Sequence, residues 1–202
     1  MSFSILFVCT GNVCRSPMAE LLCAGWADPR ADLQVASAGV AALVGQGIDT
    51  SSASVLGQAG IDPTRHRARQ FEPEMATRAD LVLTAEAAHR DAIMAVAPSA
   101  FRRTFTMKEF ARLARHATAT DPAEVVAQLA WGRGADGPLS LHADDMPDPY
   151  RGRISQAREV AAQVTDAIRT TLDVLGFAAG SPVAARPGAA RRPSPRPRPQ
   201  PR

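Results

Sequence analysis

The stretch from Ile5 to Glu20 constrains the chain more than any other part of the sequence. Residues Ser4–Val8 at its start predict a short buried strand, and the small and polar residues that follow predict a tight turn. Ser16 is of a type that caps helices and Pro17 suits the first helical position, so we expect a helix to begin here. A helix N-terminus aimed back at a loop gathers backbone N–H groups into an electropositive pocket. The stretch therefore predicts an oxyanion-binding site.

Two side chains in this loop suggest chemistry as well as binding. Cys9 is a nucleophile in its thiolate form, which a helix N-terminus and a nearby guanidinium both stabilise. Five residues separate Cys9 from Arg15, so one compact turn can bring the guanidinium towards the sulfur, where it can fork onto two phosphate oxygens. Gly11 permits close backbone approach, Asn12 tolerates left-handed φ, and the Ser16 hydroxyl could donate to the thiolate.

The run from Cys9 to Pro17, directly after a strand at the N-terminus, resembles the phosphate loop of the low-molecular-weight protein-tyrosine phosphatases. Other cysteine phosphatases carry their Cys-x5-Arg late in the chain and usually after a histidine, whereas Val8 precedes the cysteine here. The resemblance implies a phosphocysteine mechanism. It also implies that the residues between the nucleophile and the arginine bind or support the phosphate: Thr10, Gly11, Asn12, Val13 and Cys14.

A phosphocysteine mechanism needs a proton donor for the leaving oxygen. The dipeptide Asp-Pro occurs at Asp28, Asp62, Asp121 and Asp148, so it selects nothing by itself. The segment Met146–Tyr150 resembles the family's general-acid loop, which implies that Asp148 protonates the leaving phenolate and then activates the hydrolytic water. Tyr150 would stack on the substrate ring. In the alternative interpretation, Asp148 only caps the last helix.

Further matches extend the resemblance over about residues 3–177. The turn at Ser37 resembles the family turn whose serine hydrogen-bonds the loop asparagine, here Asn12; alternatively, Ser37 merely ends a strand. We expect His66 to be structural, because a lone histidine is more often a packing residue than a catalyst. Three further histidines receive no role: His89, His116 and His142.

Two positions bear on the substrate. Members that remove phosphate from arginine resemble this loop but carry threonine where this chain has Val13, which favours a phosphotyrosine substrate. Many eukaryotic members carry an aromatic wall residue after the Ser-Ala-Gly turn, whereas this chain has the aliphatic Val40–Val44, in which Leu43 could supply apolar contact. Protein-arginine phosphatase and arsenate reductase remain alternatives on the same fold. The common arsenate reductases need two downstream cysteines, and none follows Cys23.

Cys14 has two interpretations. In the family, a second loop cysteine can form a disulfide with the nucleophile and protect it reversibly; the other possibility is a small side chain that packs the loop. Cys23 lies on the apolar face of the first predicted helix and is expected in the core.

Short apolar strands alternate with helical segments along the chain, which predicts an α/β fold. We expect three layers, a four-stranded parallel sheet with helices on both faces, as in the phosphotyrosine phosphatase I-like architecture. The predicted strands are Ser4–Val8, Leu33–Gly39, Asp80–Thr84 and Arg103–Met107. The predicted helices are Pro17–Trp26, Thr50–Ala59, Glu86–Ala97, Glu109–His116, Pro122–Trp131 and Ile154–Leu175, the last being the clearest amphipathic helix.

Composition divides the 202 residues into a phosphatase-like domain, 1–178, and a Pro/Arg-rich tail, 179–202, that is expected to be disordered. The tail holds six of the 23 basic residues and no acid, so 17 basic residues face 20 acidic ones in the domain, a formal charge of −3. Nucleic-acid binding by the folded domain is therefore not expected. The tail could dock a partner, and a non-catalytic phosphate-binding module with such an arm is a further alternative.

The remaining expectations concern cofactors and location. We expect no metal and no other cofactor, because Arg15 and the backbone N–H groups can supply the charge stabilisation. No apolar run reaches the length of a membrane span, and the N-terminal stretch lacks the basic region of a signal peptide. We therefore expect a cytoplasmic protein that acts on phosphotyrosine-containing proteins.

Overall fold

Four parallel strands form one sheet in the order β2-β1-β3-β4 in the computed structural model, which describes residues 2–134 and 142–179. The strands are β1 (Phe3–Cys9), β2 (Leu33–Gly39), β3 (Leu81–Thr84) and β4 (Thr104–Thr106). β1 pairs with both β2 and β3, so Cys9 ends a central strand beside Gly39. The predicted four-stranded parallel sheet is confirmed.

Helices cover both faces of the sheet. They are α1 (Arg15–Trp26), α2 (Thr50–Gln58), α3 (Pro73–Arg78), α4 (Ala87–Val96), α5 (Met107–Leu113), α6 (Pro122–Trp131) and α7 (Ile154–Val174), with 3₁₀ turns at Pro98–Arg103 and Ala114–His116. Alternate residues of β1 point to opposite faces, as a strand requires. Ile5 and Phe7 pack against the layer that contains α1, α5, α6 and α7, and Leu6 and Val8 pack against α3 and α4. The three predicted layers are therefore present.

The amphipathic pattern of the last helix is borne out. α7 buries seven side chains along one stripe and contacts α1, α2 and α5. Cys23 is fully buried in α1, as expected for a core residue.

Two local expectations were wrong, and one helix was not predicted. The first helix begins at Arg15, with Cys14 at the N-cap position, so Ser16 does not cap it; its hydroxyl turns towards Cys9 instead. The fourth strand is shorter than predicted because Thr106 caps α5 in a reciprocal capping box with Glu109, which starts that helix at Met107. The six-residue helix α3 was not predicted, since its few residues carry no readable helical period.

The C-terminal segment of the described chain closes against α1. Ala178 forms a bridge with Ala27, and the Phe177 carbonyl accepts a hydrogen bond from Asp28 N at 2.8 Å. The predicted tail lies outside the described residues except for Ala179, and so do residues 135–141 of the long connection before Asp148; the division at residue 178 stays a prediction. None of the helices in residues 2–134 and 142–179 has the length and apolar character needed to cross a bilayer.

Candidate active site

The loop from Cys9 to Ser16, hereafter the phosphate loop, curls around a left-handed asparagine. Asn12 has φ 55°, and its side-chain amide donates to Ser37 Oγ at 2.8 Å and to Ser16 Oγ at 2.9 Å. Its carbonyl oxygen Oδ1 accepts from Arg69 N at 2.9 Å. Because the side chain is fully buried and all of these groups are satisfied, the strained backbone at Asn12 is held from several directions.

Two further side chains contact Asn12 or the residues that hold it. His66 Nε2 lies 2.8 Å from the Asn12 main-chain oxygen, which is the structural type of contact expected for His66. Ser37 donates to Glu20 Oε2 at 2.5 Å, so Glu20 of α1 contacts the same serine that contacts Asn12.

The carbonyl groups of the phosphate loop face the neighbouring segment 40–49. The oxygens of Cys9, Thr10, Gly11 and Val13 accept from the N–H groups of Val40, Ala41, Leu43 and Asp49 at 2.8 to 3.0 Å. The backbone N–H groups of residues 11–14 donate to no group in the described part of the chain. Since buried N–H groups nearly always have partners, these donors are suited to an oxyanion.

Gly39 explains why the loop can pack so closely against β2. A Cβ atom at Gly39 would lie 2.4 Å from the Thr10 oxygen and 2.9 Å from Asn12 N. Only glycine therefore fits at this position without moving the loop.

The nucleophile candidate sits at the base of this pocket. Cys9 is buried at the carboxyl end of β1, and its Sγ lies 3.0 Å from Ser16 Oγ. The contact expected from the sequence between Ser16 and Cys9 is present. Ser16 and the start of α1 therefore lie next to the sulfur.

Arg15 is buried and joins the loop to two distant parts of the chain. Its Nη1 donates to Glu86 Oε1 and, at 2.9 Å, to the Met146 carbonyl, and its Nη2 lies 3.1 Å from Asp148 Oδ2. Arg15 Nε is buried without a partner among the described residues. The guanidinium is therefore fixed by its Nη atoms, while Nε remains available to an anion.

Asp148 is thus brought to the phosphate loop. Its Oδ1 accepts from Tyr150 N at 3.1 Å, and its side chain is about half exposed. The alternative in which Asp148 caps the last helix is wrong, because Arg153 occupies the N-cap position of α7.

The segment before Asp148 is pinned by contacts that the sequence did not indicate. Asp145 Oδ1 accepts from Ala87 N, at the start of α4, at 2.7 Å, and Asp144 pairs with Arg112 of α5 at 2.7 Å. Met146 is buried, and its N–H donates to the Ala85 carbonyl. These contacts set the position of the acid relative to β3 and α4.

Two site residues escaped the sequence analysis: Glu86, which pairs with Arg15, and His89, whose Nε2 lies 2.8 Å from Thr10 Oγ1. Burial lowers the pKa of His89 below its usual range, and the nearby Arg15 adds to this, although Glu86 opposes it. The available signal was their position directly after β3, because neighbouring parallel strands end at the same edge of a sheet.

Cys14 is a buried free thiol, like Cys9 and Cys23. Burial raises the pKa of the Cys14 thiol to about 12, and the nearby carboxylates of Asp49 and Asp148 act in the same direction. Cys14 is therefore protonated near neutral pH and is a poor nucleophile.

Aliphatic side chains lie beside the phosphate loop. Leu43 lies over Gly11 and Val13, and the neighbouring Val44 is exposed. Tyr150, two residues after Asp148, is 38% exposed, and the Arg151 guanidinium lies 5.2 Å from its ring centre. The described residues contain no group of three His, Cys, Asp or Glu side chains that could hold a metal ion.

A thiol below an anion pocket, with a carboxylic acid within reach, is typical of the class of phosphatases that form a phosphorus–sulfur bond during turnover. A family model described as low molecular weight phosphotyrosine protein phosphatase matches residues 4–128. The chain belongs to this family, and it is an enzyme of the phosphoric monoester hydrolase class.

Relatives with two different named activities resemble the chain. It is 41% identical over 106 residues to a probable low molecular weight protein-tyrosine-phosphatase, EpsP, of Ralstonia solanacearum, a match that covers 52% of this chain and 71% of the relative. It is 34% identical over 175 residues to a protein-arginine-phosphatase of Geobacillus stearothermophilus, covering 87% of this chain and 95% of the relative.

Solved structures agree with the fold. The YwlE arginine phosphatase of Geobacillus stearothermophilus has a TM-score of 0.66 at 30% identity, covering 86% of this chain and 92% of that one. The low molecular weight protein tyrosine phosphatase of T. tengcongensis has a TM-score of 0.64 at 28% identity, covering 85% and 99%.

Proposed function

We propose that this protein hydrolyses phosphotyrosine in proteins through a phosphocysteine intermediate. Cys9 is the nucleophile, Arg15 binds the phosphate, and Asp148 is the general acid and base. The proposal rests on the position of Arg15 between the other two groups. Arg15 Nη2 lies 3.1 Å from Asp148 Oδ2, and Arg15 is the first residue of α1, directly after the loop segment that begins with Cys9.

In the first step the Cys9 thiolate attacks phosphorus, and the bond between phosphorus and the phenolic oxygen breaks. The N–H groups of residues 11–14 and Arg15 Nε stabilise the charge on the phosphoryl oxygens. The phosphate competes with the Asp148 carboxylate for Arg15, which frees Asp148 to carry a proton and pass it to the leaving phenolate.

In the second step water attacks the phosphocysteine. Asp148, now a carboxylate, takes a proton from that water, the phosphorus–sulfur bond breaks, and the Cys9 thiolate and inorganic phosphate are released. Ser16, 3.0 Å from the sulfur, stabilises the thiolate as the leaving group.

Phosphoarginine is the second candidate substrate. The protein-arginine-phosphatase relative covers 87% of this chain, more than the tyrosine-phosphatase relative of Ralstonia. Against it, Val13 is buried and apolar at the position where threonine is expected in arginine phosphatases. Val13 packs against Leu43, and this apolar pair favours an aromatic ring over a polar guanidinium.

The test compares a phosphotyrosine peptide, a phosphoarginine peptide and arsenate with the same preparation. We expect the highest kcat/KM with phosphotyrosine, no turnover in Cys9→Ser, and a kcat roughly 10²- to 10⁴-fold lower in Asp148→Ala. Equal or faster turnover of phosphoarginine would assign the second candidate. Arsenate reduction would assign the reductase alternative, and no turnover of any substrate would leave the binding-module alternative.

We also propose that the protein works in the cytoplasm on phosphoproteins. The three cysteines are free thiols, and a thiol nucleophile is best preserved where thiols are kept reduced. Fractionation of cells that express the full chain tests this: recovery with periplasmic or extracellular material would contradict it.

A further inference from the structure

The first turn of α4 contacts both ends of the phosphate loop. Glu86, at the N-cap of α4, pairs with Arg15 at the far end of the loop, and His89 Nε2 lies 2.8 Å from the hydroxyl of Thr10 at the near end. Residues three apart on a helix lie on one face, so a single helical turn spans the loop. Ala87 N in the same turn donates to Asp145 Oδ1, which ties this turn to the segment before Asp148.

Thr10 is held from two directions. Its main-chain oxygen accepts from Ala41 N at 3.0 Å and lies against Gly39, while its side chain reaches His89. Thr10 directly follows Cys9, and the N–H groups of the anion pocket begin with the next residue. A shift of Thr10 therefore moves both the sulfur and the pocket.

The two neutral tautomers of His89 differ in whether the buried Nδ1 atom carries a hydrogen or a lone pair. His89 is 4% exposed, and its Nδ1 has no partner among the described residues. Unpaired buried N–H donors are rarer than unpaired acceptors, so the hydrogen belongs on Nε2 and the lone pair on Nδ1. In that tautomer His89 donates to Thr10 Oγ1.

We propose that His89 is a positioning residue: its neutral imidazole donates to Thr10 and holds the phosphate loop in register with Arg15 and the acid segment. The role rests on the proposed phosphatase function and adds a residue to it.

Protonation of His89 works against this arrangement. The charged groups that face the ring are Glu86, Asp148 and Asp145, which favour the imidazolium, and Arg15, which opposes it together with burial. The net effect is a pKa below the usual range, so His89 is neutral at pH 7 and takes up a proton only in more acidic solution. The added hydrogen would sit on the buried Nδ1 and place a second cation near Arg15.

The experiment measures kcat and KM for p-nitrophenyl phosphate from pH 5 to pH 8. His89→Asn, which cannot reach Thr10, and Thr10→Val, which lacks the hydroxyl, are each expected to lower kcat/KM roughly three- to tenfold at pH 7. His89→Gln, whose amide can replace the Nε2 donor, and Thr10→Ser, the matched control, are expected to stay within twofold of wild type. The double variant His89→Asn/Thr10→Val should lose no more than the worse single variant.

The pH profile separates positioning from packing. The ratio of His89→Gln to wild-type kcat/KM should rise as pH falls below the usual histidine range, because glutamine does not titrate and the ionisations shared by both proteins cancel.

Four outcomes would each overturn the proposal: a loss below twofold in both His89→Asn and Thr10→Val, multiplicative losses in the double variant, no recovery in His89→Gln, or a ratio that stays flat with pH. If His89→Asn does not fold, Thr10→Val with Thr10→Ser decides. A wild-type protein without turnover would instead overturn the proposed function.

Discussion

The phosphate loop and the wall that faces it are built differently. The loop is one continuous stretch, Cys9–Ser16, which is held by neighbours in β2, in the segment 40–49 and at residues 66–69. The facing wall combines the start of α4 with the segment 142–150, and these parts meet only because β1 and β3 are adjacent. A contiguous site can be recognised in a sequence, whereas an assembled one depends on the topology.

Among the substitutions that compare the two regions, the largest effect is expected at Arg15, which belongs to both. Arg15→Lys keeps a positive charge but loses the planar fork that reaches Glu86, Met146 and Asp148 together. We expect kcat/KM for p-nitrophenyl phosphate to fall roughly 10²- to 10³-fold, comparable to the loss of one oxyanion donor. Near-normal kcat in this variant would mean that a point charge suffices and that the wall does not orient the arginine.

A substitution in β2 tests the loop alone. In Gly39→Ala the new methyl group would lie 2.4 Å from the Thr10 oxygen, a main-chain atom that cannot move without shifting the loop. We expect a loss of roughly 1–3 kcal/mol in the free energy of unfolding, measured by urea denaturation, and a clear loss of kcat/KM. The matched control is Gly57→Ala in α2, where nothing lies within 4 Å and alanine should stabilise the helix by about 0.5–1 kcal/mol. Equal stability of the two variants would show that the loop yields easily.

A substitution in the wall tests its contribution to the arginine. Glu86→Gln removes the charge that faces Arg15 Nη1 while keeping the size of the side chain. We expect kcat/KM for p-nitrophenyl phosphate to fall roughly tenfold, mainly through a higher KM. A tenfold change corresponds to the loss of about one hydrogen bond to a charged group. Asp91→Asn, on the exposed side of the same helix, is the control and should remain at wild-type activity. If both variants behave alike, the wall does not act through Glu86.

The smallest effect concerns the second cysteine of the loop. Because the pKa of Cys14 is raised to about 12 by burial, its thiol stays protonated up to pH 9 and ionises only in far more alkaline solution. We expect iodoacetate at pH 7 to modify Cys9 and to leave Cys14 and Cys23 unmodified, as measured by peptide mass spectrometry. Cys9→Ser is the control and should show no rapid modification. Rapid labelling of Cys14 in that control would show that the loop opens.

The sequence by itself determined the phosphate loop and much of the sheet. Cys9, Asn12, Arg15 and Ser16 lie within eight residues, so their types and spacing were enough to predict an anion pocket with a nucleophile. The alternating short strands and helices predicted the parallel sheet, and the amphipathic period predicted α7, because both patterns repeat along the chain. Asp148 was found through the resemblance of its loop, not through its spacing.

Only the tertiary structure decided how that loop is completed. In the sequence, Glu86 and His89 look like ordinary polar residues of a helix. They contact Arg15 and Thr10 only because β3 lies beside β1 and the first turn of α4 faces the phosphate loop. Ser16 was predicted both as a helix cap and as a partner of Cys9, and only the structure shows that it makes the second contact and not the first. The spacing of residues within one segment predicts which side chains lie on the same side of that segment. The neighbours of the segment depend on strand order and on the packing of buried side chains across the sheet.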